Sequence, residues 1–234
     1  MFFSAFTAEE VDAILLSIQV AVWAVFVGML PGIALAYLLA RFNFKGKAVL
    51  DAVVHLPLVV PPVVTGYLLI IFLGRYTALG GFFESIGIQF AFNWKGAVIA
   101  SIVMSFPLLV RPIRLSIEAI DRGLEDAART LGAGKLRVFL TITLPLSIPG
   151  IISGAVLAFA RSLGEFGATI TFVSNIPGET QTLPLALYAY TQTPGGELTA
   201  ARLCSISVLI AIGALVSSEI LAKKTKKRVL DDRS

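Results

Sequence analysis

Long uncharged apolar runs dominate the chain. Between Asp12 and Arg41 no charged residue occurs over 28 positions. At about 1.5 Å of rise per helical residue this run exceeds a hydrocarbon core of about 30 Å, which predicts a helix that tilts or protrudes. A second run extends from about Ala48 to Gly74, with Asp51 and His55 near its entrance. A third covers Phe90 to Val110, with Trp94 and Lys95 placed as interfacial anchors. The fourth starts near Val138 and stays free of charge to Ala160, and the fifth covers about Leu203 to Ala222. The pattern predicts an all-α, polytopic membrane protein with about five transmembrane helices. The apolar run Leu183 to Tyr190 is too short to span. It fits an external cap, a re-entrant segment or half of a broken helix, so a sixth short segment stays open.

Composition agrees with that pattern. Of 234 residues, 56% are hydrophobic and 15% charged, against roughly a quarter charged in soluble domains. No long linker, tandem repeat or low-complexity tract divides residues 1–234, which read as one transmembrane domain. Glu9, Glu10 and Asp12 stand where a cleavable signal peptide would want Lys or Arg, so none is expected. Five predicted spans put loop 41–51, loop 111–137 and the C-terminal tail on one face. That face holds 15 of the 19 Lys and Arg residues. The positive-inside rule makes it cytoplasmic, with the N-terminus outside and the C-terminus inside an inner membrane. The basic tail (Lys223, Lys224, Lys226, Lys227, Arg228) follows directly on an apolar segment, which favours a lipid-facing membrane flank over a nucleic-acid site.

The longest cytoplasmic connection carries the most patterned sequence. Leu124, Ala127 or Ala128, and Leu131 recur at helical spacing, with Arg122, Asp126 and Arg129 toward the other side. Gly132 and Gly134 are suitable stops. A helix so short needs a partner surface, and its alanines let another backbone approach closely. A connector lying on the membrane surface satisfies the same residues.

The segment resembles the signature loop of ABC-importer permeases: acidic-Ala-Ala, three residues, Gly, nine residues, Ile-x-Leu-Pro. Here those positions are Asp126, Ala127, Ala128, Gly132, Ile142, Leu144 and Pro145, with Asp where the family commonly has Glu. The resemblance implies a type I ABC-importer permease fold. It also implies that loop 119–137, with Glu125 and Leu131 beside the signature, holds the coupling helix that docks on a nucleotide-binding subunit. The likeness extends further. His55-Leu-Pro-Leu-Val-Val-Pro-Pro-Val-Val-Thr-Gly-Tyr67, Ser105 to Arg111, Ala160 to Ile170 and Thr193 to Glu197 resemble the molybdate-permease family. Sulfate and tungstate permeases share parts of these motifs, notably Leu163-Gly-Glu-Phe-Gly167. The implied assembly is a homodimer with two ATPase subunits, which bind ATP and Mg, and an external oxyanion-binding protein.

Within the predicted spans, Pro57, Pro61, Pro62 and Pro107 interrupt the second and third. Freed carbonyls are tolerated in lipid only where protein or a water-filled path covers them. Pro61, Pro62, Thr65, Ser105 and Pro107 are therefore candidates for a translocation path, although ordinary kinks at packing sites explain them as simply. Arg161 and Glu165 lie four apart and can pair on one helix face. They read either as a salt bridge orienting that helix or as a polar element beside an oxyanion path. His55 has no second His, Cys or carboxylate at ligand spacing, so no metal site is expected, and Cys204 reads as a small packing residue.

Catalytic motifs are missing. Gly134-Lys135 resembles the end of a phosphate-binding loop, but Arg129 stands where its first Gly belongs and Leu136 where Ser or Thr belongs. The chain is thus expected to be non-catalytic and to bind no cofactor itself. A passive or secondary anion transporter is the rival class. It would call for several buried ionisable groups or a longer repeat.

Overall fold

A computed structural model describes the backbone of residues 6–231 and the side chains of residues 6–217, which leaves the side chains of the basic tail outside the described residues. Most of those residues are helical, and none of them lies in a strand. Four helices are long and apolar enough to cross a membrane, or five if one bent pair counts as a single span.

Helix α1 (Ala8–Arg41) opens on a capping box: Thr7 Oγ1 accepts from the Glu10 amide and Glu10 Oε2 accepts from the Thr7 amide. Its 34 residues give about 51 Å of helix, so it overshoots the bilayer core as its sequence suggests.

The second span, which its prolines were expected to interrupt, is broken into two sharply bent pieces. Helix α2 (Lys47–His55), a 3-10 turn (Leu56–Leu58) and α3 (Pro62–Leu73) follow one another, and the two helical pieces are bent by 113°. The cause is local. Pro57, Pro61 and Pro62 lack amide donors, and Pro62 holds Pro61 before it out of the helical region, at ψ 134°. Helix α4 (Ala78–Ser85) follows, capped by Thr77, an element the hydropathy pattern did not announce.

Helix α5 (Trp94–Glu118) starts at the Asn93 cap and runs through Pro107 and Pro112, eight residues past the expected end. It packs against both α1 and α8 (Leu144–Leu163), which also touch each other. Leu39, Leu109, Val110, Ile113, Ile117 and Ala158 form the apolar core among these three helices. Between α5 and α8 lie α6 (Arg122–Thr130), the single turn α7 (Lys135–Val138) and a π-helical turn (Phe139–Thr143) that runs directly into α8.

After α8 the chain breaks at Gly164 to Phe166 and forms α9 (Gly167–Val173), which packs on α3 and α5. Helix α10 (Leu183–Thr191) covers the short apolar run. It is not a span but lies against α1 and α11 (Glu197–Asp231), and the Leu183 amide donates to Ser17 Oγ at 2.6 Å. The outward face of α11 carries exposed Val208, Leu209, Ile212, Leu215 and Val216, the composition of a lipid-facing surface.

Candidate functional site

Helix α6 projects at the Arg41 end of the bundle. Asp121 caps it by accepting from the Gly123 amide at 2.9 Å. It ends as its glycine suggests: Gly132 has φ +85°, a left-handed conformation that a side chain resists, and its amide donates to Arg129 O. Leu124, Asp126, Ala127, Arg129 and Gly132 are exposed, and Ala128 is half-buried. Leu131 is 89% exposed. The apolar stripe therefore faces away from the bundle, and no side chain among the described residues covers it. Among the described residues Asp126 pairs with Arg129 on the same helix, at 3.2 Å.

Glu125 departs from its neighbours. Grouped by sequence with the partner-facing residues, it is buried instead, its side chain 4% exposed. Oε1 accepts from Arg41 Nε at 3.1 Å, Arg41 Nη2 at 2.9 Å and Thr143 Oγ1 at 2.7 Å. The physical reason is that a buried carboxylate has to be paired and hydrogen-bonded, and the last residue of α1 supplies the cation. Ile142, Leu144 and Pro145 are not on α6. They lie in the π turn and the first turn of α8, where Ile142 and Leu144 are half-buried and Pro145 is exposed.

The two helix breaks meet. A Cβ on Gly167 would come 2.7 Å from Pro62 Cβ, and one on Gly66 would come 2.6 Å from the Ala168 carbonyl oxygen. Helices α3 and α9 thus cross at their glycines with backbones nearly touching. Thr65 is buried beside this crossing, Pro62 is half-buried and Pro61 exposed. Glu165 Oε1 accepts from the Ala168 amide at 2.8 Å and caps α9. Its Oε2 lies 2.7 Å from Arg161 Nη1, with the side chains 26% and 1% exposed for Arg161 and Glu165. Ser105 and Pro107 are buried inside the bundle, and Ser105 Oγ donates to the Ser101 carbonyl at 2.6 Å.

Two polar clusters were not foreseen. At the Thr7 end, fully buried Glu10 pairs with Arg202 at 2.7 Å, and Tyr190 donates to Glu9 at 3.1 Å, which joins α1, α10 and α11. Burial first, and then the bond to Glu9, push the Tyr190 phenol above its ordinary value and keep it protonated as the donor. Toward the Arg41 end, Arg114 is shared between Asp51 at 2.9 Å and Glu118 at 2.8 Å, so it is already neutralised and offers no grip for an anion. His55 Nδ1 lies 2.8 Å from the Asp51 carbonyl, a hydrogen-bonded packing role. Cys204, expected to pack, is exposed on α11.

A helical bundle with broken spans and a patterned, uncovered helix at one end defines a transport permease. Residues 32–227 match the family described as binding-protein-dependent transport system inner membrane component, and the chain belongs to that family. It is 60% identical over 223 residues to the molybdenum transport system permease protein ModB of Escherichia coli strain K12, covering 95% of this chain and 97% of that protein. It is 55% identical to ModB of Haemophilus influenzae, covering 94% and 96% of the two chains. The sulfate transport system permease protein CysW of Synechococcus elongatus is 36% identical, over 93% of this chain and 76% of that protein. Among solved structures, a bacterial alginate ABC transporter in complex with a pentasaccharide-bound periplasmic protein has a TM-score of 0.74 at 16% identity, covering 93% and 80%. That likeness establishes the type I ABC-importer permease fold.

Proposed function

We propose that this chain is the transmembrane subunit of an ATP-driven importer whose cargo is molybdate. Support comes first from α6, an amphipathic helix with an uncovered apolar stripe that carries the signature residues Asp126, Ala127, Ala128 and Gly132. High identity to molybdenum permeases across nearly the full length supports the cargo. Sulfate or tungstate is the alternative cargo within the same class.

In this reading the chain works as a homodimer in the bacterial inner membrane, N-terminus outside. Two ATPase subunits, which hold ATP and Mg, dock on α6, and an external oxyanion-binding protein delivers cargo at the opposite face. Residues 1–234 form one transmembrane unit, and loop 119–137 is its coupling element. Nucleotide-driven closure of the ATPases displaces α6 and rocks the spans between inward-open and outward-open states, a two-state alternation. The path runs near the crossing of α3 and α9, beside Pro61, Pro62, Thr65, Arg161 and Glu165. Ser105 and Pro107 reach it only if α5 moves. Specificity rests mainly with the delivery protein, because the described residues hold no uncommitted cluster of cations fit to grip a dianion.

The test is ATP hydrolysis by the complex reconstituted with its ATPase and binding protein. Molybdate is expected to stimulate it at lower concentration than sulfate or tungstate. Stimulation by sulfate alone reassigns the cargo, and uptake that proceeds without ATP places the chain with passive or secondary carriers.

A further inference from the structure

Helix α6 has nine residues, too few to hold a helix unaided, and its apolar stripe faces outward. Something else must fix it to the bundle. Its one buried side chain is Glu125, and the two side chains that donate to Glu125 come from far apart in sequence. Arg41 ends α1, 84 positions away, and Thr143 ends the π turn before α8, 18 positions away. Arg41 Nη2 also donates to the Ile120 carbonyl at 3.2 Å, so one guanidinium grips both α6 and the chain that enters it. All three donors converge on a single carboxylate oxygen in a site closed to water.

We infer that Glu125 is the positioning residue through which displacement of α6 reaches α1 and α8. Helices α1 and α8 both pack on α5 and on each other, around one shared core. A push on α6 delivered to both therefore moves the core of the bundle rather than bending a loop. A charge-assisted, desolvated contact suits this role because it is directional and costly to break. The π turn that carries Thr143 is a backbone form that adjusts without breaking its helix, as an element receiving a push requires. The exposed residues of α6 then face the ATPase, while Glu125 faces the load.

This inference rests on the proposed importer function, and two measurements separate their fates. In vesicles holding the full complex, the ratio of molybdate imported to ATP hydrolysed is read for Glu125→Ala, Thr143→Val and Thr143→Ser. Glu125→Ala and Thr143→Val are expected to hydrolyse ATP while the ratio falls about fivefold or more, with Thr143→Ser within about twofold of the parent. A merely structural role lowers import and hydrolysis together with the amount of complex and leaves the ratio intact. An unchanged ratio in Glu125→Ala overturns the inference. Should that variant fail to assemble, an unchanged ratio in Thr143→Val does so.

The second measurement needs no cargo. Spin labels at positions 43 and 133 are expected to keep one separation through the ATP cycle in the parent complex and to part in Thr143→Val. A separation that changes in the parent overturns the inference whatever ion is carried. A parent complex that hydrolyses ATP, keeps that separation fixed and imports no molybdate overturns the cargo and leaves Glu125 in its role.

Discussion

Three buried carboxylates, Glu10, Glu125 and Glu165, hold this structure at three different places, each with an arginine as partner. Glu10 has no exposure, and its removal leaves Arg202 in a site built for a pair. Glu10→Ala is expected to destabilise the protein by about 3 kcal/mol, read as a lowered denaturation midpoint in detergent. An unchanged midpoint would mean that the pair contributes nothing. Glu165 also caps α9, and that tests its role. Glu165→Gln keeps an acceptor for the Ala168 amide but removes the charge beside Arg161. If Glu165 serves only as the acceptor that caps α9, Glu165→Gln retains uptake within about twofold, while Glu165→Ala loses the cap at about 1 kcal/mol and most uptake. Loss of uptake in a well-folded Glu165→Gln protein shows instead that the charge serves the path. The spacing of four made the pairing of Arg161 with Glu165 legible, but the helix that spacing assumes ends at Leu163, and Glu165 reaches Arg161 from the break beyond it. The pairing of Glu10 with Arg202 was not legible, since 192 positions separate them and only the folded bundle closes that distance. Glu125 stands next to Asp126, and nothing local distinguishes the acid that turns inward from the one that turns out.

At the scale of elements, the long helices followed from uninterrupted apolar runs and α6 from its stripe and its glycine stop. The break in the second span did not follow from hydropathy. Apolar content is equally high on both sides of Pro61, and prolines in a membrane helix can produce either a kink or a sharp turn. What decides the outcome is α9, which comes back from the distant break at Gly164 to pack on α3. That crossing depends on a missing side chain. Gly66→Val would drive a Cβ into the Ala168 carbonyl and Thr171 Cβ, two contacts that cannot rotate away. It is expected to cost about 2 kcal/mol and to abolish uptake, measured by denaturation midpoint and by vesicle transport. Normal uptake in Gly66→Val would show that the two half-helices need not touch. For α6, Gly132→Val strains a left-handed residue and Asp126→Lys reverses an exposed charge, yet neither touches the bundle core. Both variants are expected to insert in the membrane in normal amount while uptake falls at least about tenfold. Normal oxyanion uptake in either one refutes the coupling role.

For the whole molecule, the family and the fold were legible because signature residues recur along nearly the full chain, from His55 to Glu197. The number of crossings was less so, since α2 with α3 and α9 with α10 are pieces whose meaning depends on packing. The proposed orientation rests on where the basic residues collect in sequence, and α6 and Arg41 lie together at one end of the bundle. The central physical claim is that a separate motor pushes this end. A single cysteine at position 128, in a chain with Cys204→Ser, tests it directly in sealed vesicles treated with a membrane-impermeant thiol reagent. Labelling is predicted in inverted vesicles alone, and bound ATPase subunit is predicted to block it. Labelling in right-side-out vesicles, or labelling that the ATPase leaves untouched, contradicts the account.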